Sequence, residues 1–144
     1  MDGELTEGEA SQKPLILVVD NRLDARDLYT QYLGFHGFQV IEAEDGEQAI
    51  RLATEAVPAL ILMDLGLPRM DGWEATRLIK ADPRTAHIPV LALTGHAFSD
   101  SIVRAKAAGV DAFFIKPCLP KTVLSKIREM LNLPDESAQD RFLL

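Results

Sequence analysis

From Pro14 onward the sequence repeats one alternation: a short apolar run, a polar turn, then a segment with apolar residues three and four apart. The apolar runs are residues 15–19 (LILVV), 39–41 (QVI), 59–63 (ALILM), 89–93 (PVLAL) and 112–115 (AFFI). Most are continuous rather than alternating, the pattern of parallel strands covered on both faces by helices. The second is shorter and more polar, which suits an edge strand. Helical spacing follows each run: Leu28, Tyr29, Tyr32 and Leu33; Ala49, Leu52, Ala53 and Ala56; a less clean stripe at Trp73, Thr76, Arg77 and Lys80 around Leu78 and Ile79; Ile102, Ala105 and Ala108; and Val123, Leu124, Ile127, Met130 and Leu131. Gly34 and Gly37, Asp82-Pro83, Gly109 and Pro134 punctuate the helix ends. Five such units predict an α/β fold, a doubly wound five-stranded parallel sheet with five helices and right-handed crossovers. A closed barrel of this kind needs about eight units.

The 144 residues suit one domain, and with 47% of them apolar there is enough to bury a core. No apolar run approaches the roughly 20 residues of a membrane span. The N-terminal residues 1–10 are acidic and polar, unlike a secretion signal, and the single cysteine, Cys118, precludes an internal disulfide. The expectation is a cytoplasmic chain with an acidic N-terminal tail over 1–13, one domain over 14–132 and a C-terminal tail over 133–144. Fifteen basic against twenty-two acidic residues give a formal charge of −7, which repels polyanions and argues against direct nucleic-acid binding. The cluster Lys121, Lys126 and Arg128 reads as a solvated helix face. Neither G-x-G-x-x-G after the first strand nor G-x-x-x-x-G-K-[ST] anywhere is present, so the common nucleotide-binding loops are disfavoured.

Ligands of open α/β sheets bind beyond the carboxyl ends of the strands. There the first, third, fourth and fifth runs lead into Asp20-Asn21, Asp64, Thr94 and Lys116. Each has a plain reading alone: Asp20 as a helix N-cap, Thr94 as turn chemistry before Gly95, Lys116 as a solvated loop residue. Together they make a set suited to a divalent cation and a phosphoryl group. Carboxylates and carbonyls hold Mg²⁺, which keeps several waters. An ammonium and a hydroxyl neutralise and hydrogen-bond phosphoryl oxygens.

The stretches 16–20 (ILVVD), 62–72 (LMDLGLPRMDG), 93–97 (LTGHA) and 113–117 (FFIKP) resemble the receiver domain of two-component response regulators, across residues 14 to about 132. The resemblance implies a flavodoxin-like sheet of order 2-1-3-4-5. It also implies Asp64 as phosphoacceptor and Mg²⁺ held by Asp20, Asp64, the Gly66 carbonyl and whatever Asn21 contributes. Thr94 and Lys116 would contact the phosphoryl group, Phe113 would stand in the place of the aromatic switch residue, and the Lys116–Pro117 peptide would be cis. The implied donor is a phosphohistidine on a histidine kinase or phosphotransfer protein. The implied output is a downstream protein reading the face of the fourth helix, fifth strand and fifth helix.

One position departs from the pattern. Receivers usually carry two acids at the end of the first strand, and here the second is Asn21, which offers a carbonyl oxygen without charge. A weakened Mg²⁺ site is the expectation. His96 lies beside the site as a candidate influence on acyl-phosphate lifetime or as a surface residue, while His36 and His87 read as structural and Trp73 as packing or a partner contact. The tail residues Phe142–Leu144 read as disordered or as a partner contact. Three function classes follow: a phosphoacceptor switch without independent substrate turnover; a phosphorylation-independent pseudo-receiver docking module, which Asn21 favours; and a hydrolase using an aspartyl phosphate. The hydrolase is disfavoured because Gly66 stands where a second acid would serve as general acid/base.

Overall fold

Parallel pairing of all five apolar runs is what the computed structural model shows, and it describes residues 13–67, 70–95, 103 and 106–134. The elements are β1 (Leu15–Val19), α1 (Leu23–Phe35), β2 (Gln39–Ala43), α2 (Gly46–Ala56), β3 (Leu60–Asp64), α3 (Gly72–Ala81), β4 (Val90–Thr94), β5 (Ala112–Ile115) and α4 (Pro120–Met130). Val103 and residues 106–108 are also helical, on the connection between β4 and β5, which brings the helical segments to the five expected. The sheet order is β2-β1-β3-β4-β5, so β2 is the edge strand its polarity implied.

The continuous apolar runs are explained by two core clusters, one on each face of the sheet. Leu17, Val19, Ile61, Met63, Val90 and Ala92 point one way, toward Ala49 and Ala53 of α2 and Ala75 and Ile79 of α3. Their neighbours Ile16, Val18, Leu60, Leu62, Leu91 and Leu93 point the other way, toward Tyr29 and Leu33 of α1 and Val123, Leu124 and Ile127 of α4. Successive side chains of a strand alternate faces, and here both faces are covered. Asp45 and Asp71 cap α2 and α3, accepting the amides of Gln48 and Glu74, each at 2.8 Å. Pro120 opens α4 at a position where no amide is needed.

Three local expectations are corrected. Leu28 is 50% exposed, whereas Tyr29 and Leu33 of the α1 stripe are buried and Tyr32 packs partly buried against the same core cluster. Ala56 is likewise exposed at the end of α2. Gly34, next to last in α1, and Gly37, at φ 94° just past it, both lie near the helix end as expected. Arg128, read as part of a solvated face, is only 6% exposed, while Lys126 pairs with Glu129 at 2.8 Å. His36 packs against the rings of Tyr32 and Phe35, in keeping with a structural role. The expectations for His96, Ile102, Ala105, the tail residues 1–12 and Phe142–Leu144 fall outside the described residues.

Candidate functional site

Register brings the strand ends together. Val19 lies opposite Met63, Asp64 opposite Leu93, and Thr94 opposite Ile115, so Asp20, Asp64, Thr94 and Lys116 each sit at or one residue past a neighbouring strand tip. Asp20 is 5% exposed, Asp64 7% and Thr94 4%, a buried polar set at the carboxyl ends of otherwise apolar strands. Asp20 is not the N-cap of α1; that position belongs to Arg22, without a side-chain cap. Instead Asp20 Oδ1 accepts the Arg22 amide at 2.9 Å, and its own amide donates to the Ala43 carbonyl at 3.1 Å. Asp64 Oδ1 accepts the Gly66 amide at 3.1 Å.

Lys116 joins these groups. Its amide donates to the Thr94 carbonyl at 2.7 Å, and its Nζ stands 3.7 Å from Asp20 Oδ2 and 3.7 Å from Asp64 Oδ1. These separations are ion pairs rather than direct hydrogen bonds. The Lys116–Pro117 peptide is cis, as the sequence resemblance implied. Burial raises the Asp64 carboxyl above its ordinary value; the Gly66 amide and the Lys116 ammonium pull it down, and the Asp20 carboxylate pushes it up again.

Asn21 and Gly66 are exposed at the mouth of the site, and Phe113 is half-buried, resting on the first core cluster beneath the same rim. Among the described residues no three His, Cys, Asp or Glu side chains come together to hold a metal ion, and Asn21 stands beside Asp20 without a charge. The donors that remain are hard oxygens: two buried carboxylates with a cation already between them, and backbone carbonyls at the mouth. That set fits Mg²⁺, which accepts few protein ligands and completes its shell with water and phosphate oxygens.

A family model for the response regulator receiver domain matches residues 16–128. The chain belongs to that family. This receiver is similar to the polar-differentiation response regulator DivK of Brucella anthropi, 34% identical over 120 residues that make up 83% of this chain and 97% of DivK. It is also similar to the DNA-binding dual master transcriptional regulator RpaA of Synechocystis sp. PCC 6803, at 33% identity over 126 residues. That match takes in 88% of this chain but spans about half of RpaA, 52%. Among solved structures, the receiver domain of a sensor histidine kinase from Pseudomonas aeruginosa PAO1 superposes with a TM-score of 0.78 at 28% identity, over 83% of this chain and 98% of that one. That structure holds a magnesium ion coordinated in its active-site cleft. Receiver domains of this family are phosphoacceptors that bind Mg²⁺ in the active site and interact with histidine kinases and downstream effectors, and this chain is a receiver of phosphorelay signalling.

Two features of the receiver's site were not read from the sequence. A Cβ on Gly72 would meet the Asp64 carbonyl oxygen and come within 2.6 Å of Leu65 Cα, so only glycine lets α3 start against the end of β3, where Asp64 stands. The Asp-Gly pair at 71–72 was the available signal. The second is Arg26, whose contacts run to Asp20 and to the edge strand; nothing local in the sequence marks it.

Proposed function

We propose that Asp64 is the residue phosphorylated, by a phosphohistidine of a histidine kinase or phosphotransfer protein, within a domain covering residues 14–132 of a cytoplasmic protein. The observation that carries this reading is the Lys116 ammonium, equidistant at 3.7 Å from the Asp20 and Asp64 carboxylates. One cation facing two buried acids marks the place where a phosphoryl group and its counterion are accommodated.

The Asp64 carboxylate attacks phosphorus, the P–N bond to the donor imidazole breaks, and its electron pair leaves with the ring. A carboxylate whose pKa is raised by burial is a more basic, and so a better, nucleophile while it stays ionised. Asp20, Asp64, the Gly66 carbonyl and the Asn21 amide oxygen would hold Mg²⁺, which supplies charge neutralisation on the transferring oxygens. Lys116 then exchanges its two carboxylates for phosphoryl oxygens, and Thr94 supplies a hydroxyl donor. Catalysis is positioning and electrostatics, with no independent substrate turnover. A cavity of about 510 Å³ lined by Asp20, Leu28, Tyr29, Gly95, Lys116 and Cys118 leaves room for the donor beside the site.

Asn21 removes one negative charge from the cation's surroundings, so metal binding is weaker than with an acid there. Movement of Thr94 toward the new phosphoryl group lets Phe113 turn inward, and the surface around β5, α4 and the helix before β5 changes for a downstream protein.

The test is intact-mass spectrometry after incubation with Mg²⁺ and phosphoramidate. A gain of one phosphoryl group that is absent from Asp64→Asn supports the reading. No gain supports the pseudo-receiver instead.

A further inference from the structure

Arg26 lies outside the pocket, in the first turn of α1, with its side chain only 12% exposed. Its guanidinium forks. Nη1 donates to the backbone carbonyl of Asp20 at 2.8 Å, and Nε donates to Glu42 Oε1 of β2 at 3.2 Å. The Asp20 amide donates to the carbonyl of Ala43, the residue after Glu42, at 3.1 Å. Both backbone polar groups of Asp20 are therefore fastened to the end of β2, one directly and one through Arg26.

We infer that Arg26 is a positioning residue for the cation-binding turn Asp20-Asn21-Arg22, latching it to β2 through Glu42. The inference rests on the cation site proposed above. With its backbone fixed, Asp20 gives Oδ1 to the Arg22 amide and turns Oδ2 toward Lys116 and the site. Arg26 satisfies the Asp20 carbonyl and pairs with Glu42, so it holds the turn without itself occupying the Asp20 carboxylate. A guanidinium is suited to this because its planar fork serves two acceptors in fixed directions; a lysine reaches only one of them in that way.

Charge and position act in opposite directions here, which makes them separable. On charge alone, an arginine near the site repels a dication, so removing it tightens Mg²⁺ binding. As a latch, its removal loosens the turn and weakens binding. Outer-shell partners of metal ligands are typically worth about 10-fold or more in affinity.

The test is calorimetric titration of Mg²⁺ into the full chain, Arg26→Met, Arg26→Lys and Asp20→Asn, with hydrogen exchange followed at the Arg22 amide. The latch predicts affinity about 10-fold weaker in both Arg26 variants, with faster exchange at Arg22. Arg26→Lys keeps the charge and the helix, so it serves if Arg26→Met fails to fold. Unchanged affinity in Arg26→Lys, or tighter binding in Arg26→Met, overturns the latch. If the unmodified chain binds no Mg²⁺, or binds it as Asp20→Asn does, the cation site itself is wrong and the latch falls with it.

Discussion

The amide of Lys116 donates to the carbonyl of Thr94 at 2.7 Å, tying the end of β5 to the end of β4 just where the side chains of these two residues emerge. The bond belongs to the strand ladder, so the ammonium and the hydroxyl are set by sheet register rather than by loop conformation. The Lys116 side chain then reaches two strands further, to Asp64 on β3 and Asp20 after β1.

Lys116→Met separates metal binding from chemistry. Removing the cation that both acids face leaves two carboxylates in mutual repulsion, which a dication relieves, so Mg²⁺ affinity rises by about 10-fold. Phosphoryl transfer loses the ammonium that stabilises charge on the transferring group and slows by about 100-fold. Titration and a phosphoramidate time course check the two signs; a fall in both would show that Lys116 acts mainly by holding the fold.

Asp64 makes stability depend on pH in a stated direction. Its folded pKa is raised, first by burial and then by Asp20. In the window between its unfolded value and the raised folded value, the folded state holds the extra proton, so the contribution is fully present below about pH 4 and is lost as pH rises through the folded pKa. Asp64→Asn keeps an oxygen for the Gly66 amide and removes the buried charge. It raises the Tm at pH 7 by on the order of 3 °C, and the gain shrinks toward pH 3. Thermal melts across pH check this, and an equal gain at every pH would point to packing instead.

Asn21→Asp restores a third carboxylate at the mouth of the site. A unit-charge pair at about 4 Å is worth roughly 4 kcal/mol gross at an effective dielectric of about 20. The position is exposed, so screening leaves an expected tightening of Mg²⁺ of about 10-fold. Repulsion with Asp20 and Asp64 also makes the metal-free variant less stable than its parent. Calorimetry and melts with and without Mg²⁺ measure both, and equal affinities would contradict the role given to Asn21.

Gly72→Ala places a methyl against the Asp64 carbonyl and Leu65 Cα. Both neighbours are backbone, so the helix or the end of β3 has to shift. The expected loss is about 1–3 kcal/mol in urea unfolding, together with slower labelling of Asp64. Unaltered stability and labelling would mean that α3 starts with more freedom than the close approach implies.

Much of this was legible in the sequence because two periods coincide with burial. The runs 15–19 and 59–63 are apolar at every position since both sheet faces are covered, and their polar terminators fall at the ligand-binding rim. Boundaries blurred by one or two residues: β2 extends to Ala43, and β3 and β4 include Asp64 and Thr94. What escaped is what depends on distance in sequence. Spacing says that Leu28 and Tyr29 share an apolar side, yet only the sheet decides that Tyr29 turns inward and Leu28 outward. Arg128 looks like a surface charge until α4 is docked. The pairing of Arg26 with Glu42 joins residues 16 apart on different elements, beyond any local pattern.

The most direct measurement is a crystal structure of the chain with Mg²⁺ and beryllofluoride, a phosphoryl mimic. The account predicts the mimic on the Asp64 carboxylate, with Lys116 Nζ and the Thr94 hydroxyl on its fluorides and Mg²⁺ beside Asp20. An adduct elsewhere, or Lys116 still lodged between Asp20 and an unmodified Asp64, would contradict it.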